Sequence, residues 1–147
     1  TQEGIENTFF LIADYGYPLV SEVFVVKTET IESDRDKLKA LLKAEVMGWR
    51  DVYLDPEAAA DLTVDVYGKD LGLKKEGTLL ELASQDELIW TPDTMANGIF
   101  TMTDELIAAN IEALNKAGLE VTAEQLFDLS PIDEVYEENP DLKIPPK

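Results

Sequence analysis

The residues best suited to holding a small molecule are Asp14-Tyr15-Gly16-Tyr17, followed directly by Pro18. Each tyrosine offers a flat apolar face with a hydroxyl at its end. That combination stacks on a small planar or anionic ligand while hydrogen-bonding its edge. Gly16 and Pro18 punctuate the chain here and force a turn or loop, which leaves the neighbouring side chains outward. The same residues also serve as a plain turn in which the tyrosines only pack.

Two apolar runs flank the turn. Thr8-Phe9-Phe10-Leu11-Ile12-Ala13 precedes it and Val23-Phe24-Val25-Val26 comes after it. Short continuous runs rich in branched and aromatic residues suit strands covered on both faces, as inside α/β sheets. The chain supplies no further runs of this kind, so two such strands would need neighbours from elsewhere.

After Thr30 the period becomes helical. Leu38, Leu41, Leu42, Val46, Trp49, Val52 and Tyr53 form one stripe, with Ser33 or Asp34 as its expected cap. Asp55-Pro56 opens a second helix near 57–67, with Gly68 as a left-handed end. Further helices are expected over 74–87, from Thr103 through Leu106, Ile107, Asn110, Ile111 and Leu114 to Gly118, and after the Thr122–Gln125 capping box. Ser130-Pro131 starts a last short helix before the tail at Ile144-Pro145-Pro146-Lys147. Trp49, Trp90 and Phe100 sit at or beside periodic apolar positions and read as core. The acidic pairs Asp133-Glu134 and Glu137-Glu138 lack the spacing of a calcium loop and read as a solvated face. Gly68-Lys69-Asp70-Leu71-Gly72 lacks the Gly-Lys-Ser/Thr ending of a phosphate loop.

Composition narrows the chemistry. The 147 residues carry a net charge of −19 and contain neither His nor Cys. Imidazole catalysis, thiolate nucleophiles, disulfides and the usual zinc sites are therefore excluded within this chain. Such acidity repels phosphate backbones and anionic lipid headgroups, which disfavours nucleic acid as a partner. No catalytic residue, metal site or cofactor is expected.

The order of these pieces resembles the C-terminal half of ABC-transporter solute-binding proteins. The branch is the one related to the thiamine-pyrimidine-precursor, sulfonate and nitrate binding proteins. The resemblance rests on Leu11-Ile12-Ala13-Asp14-Tyr15-Gly16-Tyr17-Pro18, Val23-Phe24-Val25-Val26, Ala44 to Gly48-Trp49, and Asp55-Pro56-Glu57-Ala58-Ala59. Met102 to Leu129 is also similar to the closing helices, with Ala117-Gly118-Leu119 before Leu126-Phe127-Asp128.

The resemblance implies an α/β fold: the C-terminal portion of a two-lobed, type II periplasmic-binding-protein fold, mostly helical with two strands near the N-terminus. Residues 1–30 would be a strand pair at the interlobe crossing, 31–129 the helical part of one lobe, and 130–147 a short helix and tail. It further implies an extracytoplasmic, non-enzymatic component that captures a small molecule and presents it to an ABC permease. Asp14, Tyr15 and Tyr17 would touch the ligand, with the hinge near Val23 to Lys27. A missing N-terminal part or a second chain would cover the strands. The alternatives are an enzyme on the same fold, of the thiamine-pyrimidine synthase type, and a helical interaction module.

Overall fold

The computed structural model describes residues 4–6, 8–20 and 22–143 and is mostly helical. Nine α-helices succeed one another among these residues: α1 Thr28–Ser33, α2 Arg35–Leu54, α3 Pro56–Asp61, α4 Lys75–Ile89, α5 Pro92–Asn97, α6 Asp104–Lys116, α7 Ala123–Leu126, α8 Ser130–Glu138 and α9 Pro140–Lys143. The tail expected from Ile144 onward lies outside the described residues.

The two expected N-terminal strands are not formed among the described residues. In the first run, Ile12–Tyr15 closes into a 3-10 turn. The second run, 22–27, carries no regular hydrogen-bonded structure. The physical reason is that a strand is held by its ladder, and neither run meets another strand that could supply one.

The helical reading holds in outline and differs at its ends. Helix starts at Thr28, and Asp34 interrupts it between α1 and α2 without any side-chain cap bond. Asp55 does cap α3, its Oδ1 accepting from the Ala58 amide at 3.0 Å, with Pro56 opening the helix. Beyond α3 the backbone widens into a π-type turn over Leu62–Tyr67 and stops at Gly68. Gly68 has φ −106°, so it is not the left-handed cap expected of it. The short helix α5 was unannounced by periodicity. It is fixed by a capping box in which the Thr91 and Thr94 side chains each accept from the other's backbone amide. Thr103 caps α6 through the Leu106 amide at 3.2 Å.

The core sits where α2 meets α8. Leu38, Leu42 and Val46 on α2 pack with Ile132, Val135 and Tyr136 on α8, and Ile99 closes the group. Trp49, Trp90 and Phe100 are half-buried against it, which places all three as packing residues. Tyr136 donates its hydroxyl to the Ile99 carbonyl at 2.9 Å. Burial pushes this phenol up to about 12, with Arg50 and the Ile99 contact pulling the other way. The Ile99 turn depends on Gly98, whose φ is +96°, because a Cβ there would lie 2.7 Å from the Tyr136 hydroxyl.

A polar row runs beside this core. Arg35 pairs with Glu134 at 2.5 Å, Lys39 pairs with Glu134 at 3.1 Å and with Glu138, and Lys43 donates to Asn139 at 2.6 Å. The steps of four residues along both helices put these partners face to face. Glu134 and Glu138 are therefore not a free solvated face. The Arg35 and Lys39 contacts hold the Glu134 carboxyl below its ordinary range.

Candidate functional site

Asp14, Tyr15 and Tyr17 share one turn. The chain enters it extended at Leu11 (φ −86°, ψ 128°), and the Asp14 amide donates to the Leu11 carbonyl at 3.1 Å. It leaves through Gly16 in the left-handed region (φ +86°), whose amide donates to Ala13 at 3.1 Å. Glycine takes this φ without Cβ strain, so the turn can reverse within a single residue. The Tyr15 ring meets Phe10 edge to face at 5.4 Å between centroids.

The segment just after the turn is held firmly. The Asn110 side chain, 1% exposed on α6, donates to the Pro18 carbonyl at 3.0 Å and to the Leu106 carbonyl at 2.8 Å. Its Oδ1 accepts from the Val20 amide at 3.0 Å. One buried amide thus satisfies two backbone groups of a loop ninety residues away in sequence and fixes where the turn hangs. Phe24 then rests edge to face on Phe100 at 5.6 Å.

The structure brings the three proposed ligand residues together and leaves them open. Tyr15 is 77% exposed and Tyr17 46%. Two shallow depressions of about 360 Å³ lie elsewhere. One is beside Leu73, Lys74 and Thr78, the other between Lys39, Lys43 and Asn139. Neither is lined by Asp14, Tyr15 or Tyr17. The turn presents two exposed aromatic rings with their hydroxyls and lines neither depression.

Sequence reasoning missed Asn110 as the anchor of the loop that follows the turn. The signal was present: an amide stands among Leu106, Ile107, Ile111 and Leu114 on the inward stripe of α6. A buried amide requires partners, and the nearby backbone supplies them here. Among the described residues no cluster of three or more Asp or Glu is placed to hold a metal ion. No helix among them is long and apolar enough to cross a membrane.

No curated protein and no solved structure matches this chain. Residues 1–59, which include the tyrosine turn, both apolar runs, α1, α2 and the start of α3, match the model of the family described as NMT1/THI5 like.

Proposed function

We propose that the chain is part of an extracytoplasmic solute-binding component of an ABC importer. It would capture a small polar molecule such as a pyrimidine precursor, a sulfonate or a nitrate-like anion. The observation that carries this reading is the family match over residues 1–59. It falls on the stretch whose turn and helix order also resemble the solute-binding proteins. Asp14, Tyr15 and Tyr17 are the ligand contacts in this reading, and Gly16 with the Asn110 anchor positions them. The role requires no covalent step: two walls close on a ligand, and the closed form is presented to a permease. With no His and no Cys, this chain brings no imidazole or thiolate to a reaction.

The test is calorimetric titration of the full encoded polypeptide with an aminopyrimidine, an alkyl sulfonate and nitrate in turn. Saturable binding of one of them is expected. Tyr15→Ala should weaken it by about 1–3 kcal/mol, the scale of a buried aromatic contact with its hydroxyl bond. If Tyr15→Ala and Tyr17→Ala bind like the parent, the turn is only a turn. If none of the three ligands binds, the reading fails.

A further inference from the structure

Asn97 is followed by Gly98, and it alone among the asparagines precedes a glycine. In such a pair the glycine's backbone nitrogen can attack the asparagine's side-chain carbon. The bond from nitrogen to Cγ forms, the Cγ–Nδ2 bond breaks, and ammonia leaves with the glycine's proton as a succinimide closes. Water then opens the ring at either carbonyl, which leaves aspartate or isoaspartate at that position. Glycine permits the attack because it has no side chain to crowd its nitrogen and its backbone turns freely. The other asparagines precede Thr8, Ile111, Lys116 and Pro140. The first three crowd the nitrogen, and proline has no N–H to give up.

The fold keeps this pair apart. Asn97 ends α5 and is exposed, whereas Gly98 and Ile99 are buried. The Gly98 amide, the nucleophile of the reaction, donates instead to the Thr94 carbonyl at 2.8 Å. The Tyr136 ring lies so close over Gly98 that a Cβ would not fit. Tyr136 also donates to the Ile99 carbonyl at 2.9 Å, and the Thr101 hydroxyl donates to the Gly98 carbonyl at 2.6 Å. Phe100 follows with φ +64°. That conformation strains a residue with a side chain and lasts only while its surroundings enforce it. The turn is thus clamped shut over a strained backbone, and releasing the clamp frees the nucleophile.

We propose that Asn97 is a deamidation site gated by Tyr136: the closed turn withholds the Gly98 nitrogen, and local opening of residues 97–100 lets the succinimide form.

The product does not return to the starting state. Isoaspartate routes the main chain through the former side chain and lengthens it by a methylene. Gly98 then cannot both reach Thr94 and sit under Tyr136. Aspartate adds a carboxylate at the C-terminal end of α5, where the helix dipole disfavours negative charge. Either product leaves the turn easier to open, and Phe100, on which the Phe24 ring rests, lies in that turn. Each opening that reacts therefore loosens the seat of the segment before α1 permanently.

The test follows the peptide containing Asn97 by mass and linkage over time at mildly alkaline pH. It compares the native chain, the chain unfolded in urea, and native Tyr136→Phe, which keeps a ring over Gly98 and removes the bond to Ile99. Deamidation at Asn97 should be at least about a hundredfold slower in the native chain than in the unfolded one, because only the open turn reacts. Tyr136→Phe should raise the native rate by about tenfold, the weight of one lost buried hydrogen bond on an opening equilibrium. In urea below the unfolding transition the native rate should stay nearly flat, since opening a short turn exposes little surface.

A native rate equal to the unfolded one overturns the proposal, because the turn then withholds nothing. So does a rate that Tyr136→Phe leaves unchanged, which includes a native chain and variant that both stay unmodified while the unfolded chain reacts. A native rate that climbs with urea in step with global unfolding overturns it as well, since the gate is then the whole fold. No ligand enters any of these measurements, so the outcome is independent of the transport reading.

Discussion

Val46 and Val25 are the same side chain in two different situations. Val46 on α2 is fully buried, enclosed by α8, whereas Val25 is 86% exposed. The segment 8–27 is the more continuously apolar of the two regions, yet it forms no core, while the amphipathic α2 does. Apolar content therefore does not decide burial; the presence of an opposing surface does. Helix α2 can bury its stripe because α8 presents a matching one, and helices satisfy their own backbones first. The apolar runs need a partner for side chains and backbone alike.

The largest expected effect comes from that contrast. Leu42→Ala should destabilise the chain by about 2–5 kcal/mol, the range for emptying a buried leucine site. Val25→Ala, compared at a concentration where the chain is monomeric, should stay within about 0.5 kcal/mol. Urea unfolding monitored by helical circular dichroism measures both. Equal losses would mean that 8–27 belongs to the same cooperative unit as the α2–α8 core.

Tyr136 sharpens the comparison from inside the core. Its phenol is raised from 10.0 to about 12 in the folded chain. The unfolded chain therefore releases this proton first as pH rises. The stabilisation is fully present below pH 10 and is lost as pH climbs from there towards 12. At ~1.4 kcal/mol for each pH unit of difference, the loss is at most about 3 kcal/mol. Unfolding free energies measured on either side of pH 10 should show this fall, and Tyr136→Phe should flatten it. An equal slope in Tyr136→Phe would assign the loss to other groups.

The same contrast explains what the sequence disclosed. The stripe Leu38, Leu42, Val46 and the signals at Asp55-Pro56, Thr103 and Gly118 are local, and local geometry decides helices. The strands at 8–13 and 23–26 failed because a strand is a relation between two segments, and period and composition describe only one. Gly68 differed from expectation because the π-type turn before it supplies the stop, through its amide bond to Thr63 at 2.7 Å. Capping threonines marked α5, but a six-residue helix is too short to show a stripe. At the candidate site the turn at Asp14–Tyr17 was legible from Gly16 and Pro18. Its anchor was not, because Asn110 acts across ninety residues and no local pattern names its partners.

Asn110 is one of the places where the two regions touch, the other being Phe24 on Phe100, and its loss should cost less than that of Leu42. Asn110→Leu keeps the volume on α6 but removes the bonds to Pro18, Val20 and Leu106. The Pro18 and Val20 groups are only half-buried, so a released loop can turn them to water. The cost should then be close to the net worth of ordinary hydrogen bonds, about 1 kcal/mol for each of the two loop bonds, rather than the larger penalty of stranded buried groups. The Val20 amide should exchange much faster in the variant while amides in the middle of α2 keep their protection, since local opening need not track global unfolding. Native-state hydrogen exchange separates the two. If the α2 amides lose protection together with Val20, the clamp supports the whole fold and the boundary between the regions lies closer to the N-terminus than Pro18. If neither changes, the turn is held by something other than Asn110, and its placement has to be sought in the Phe24–Phe100 contact instead.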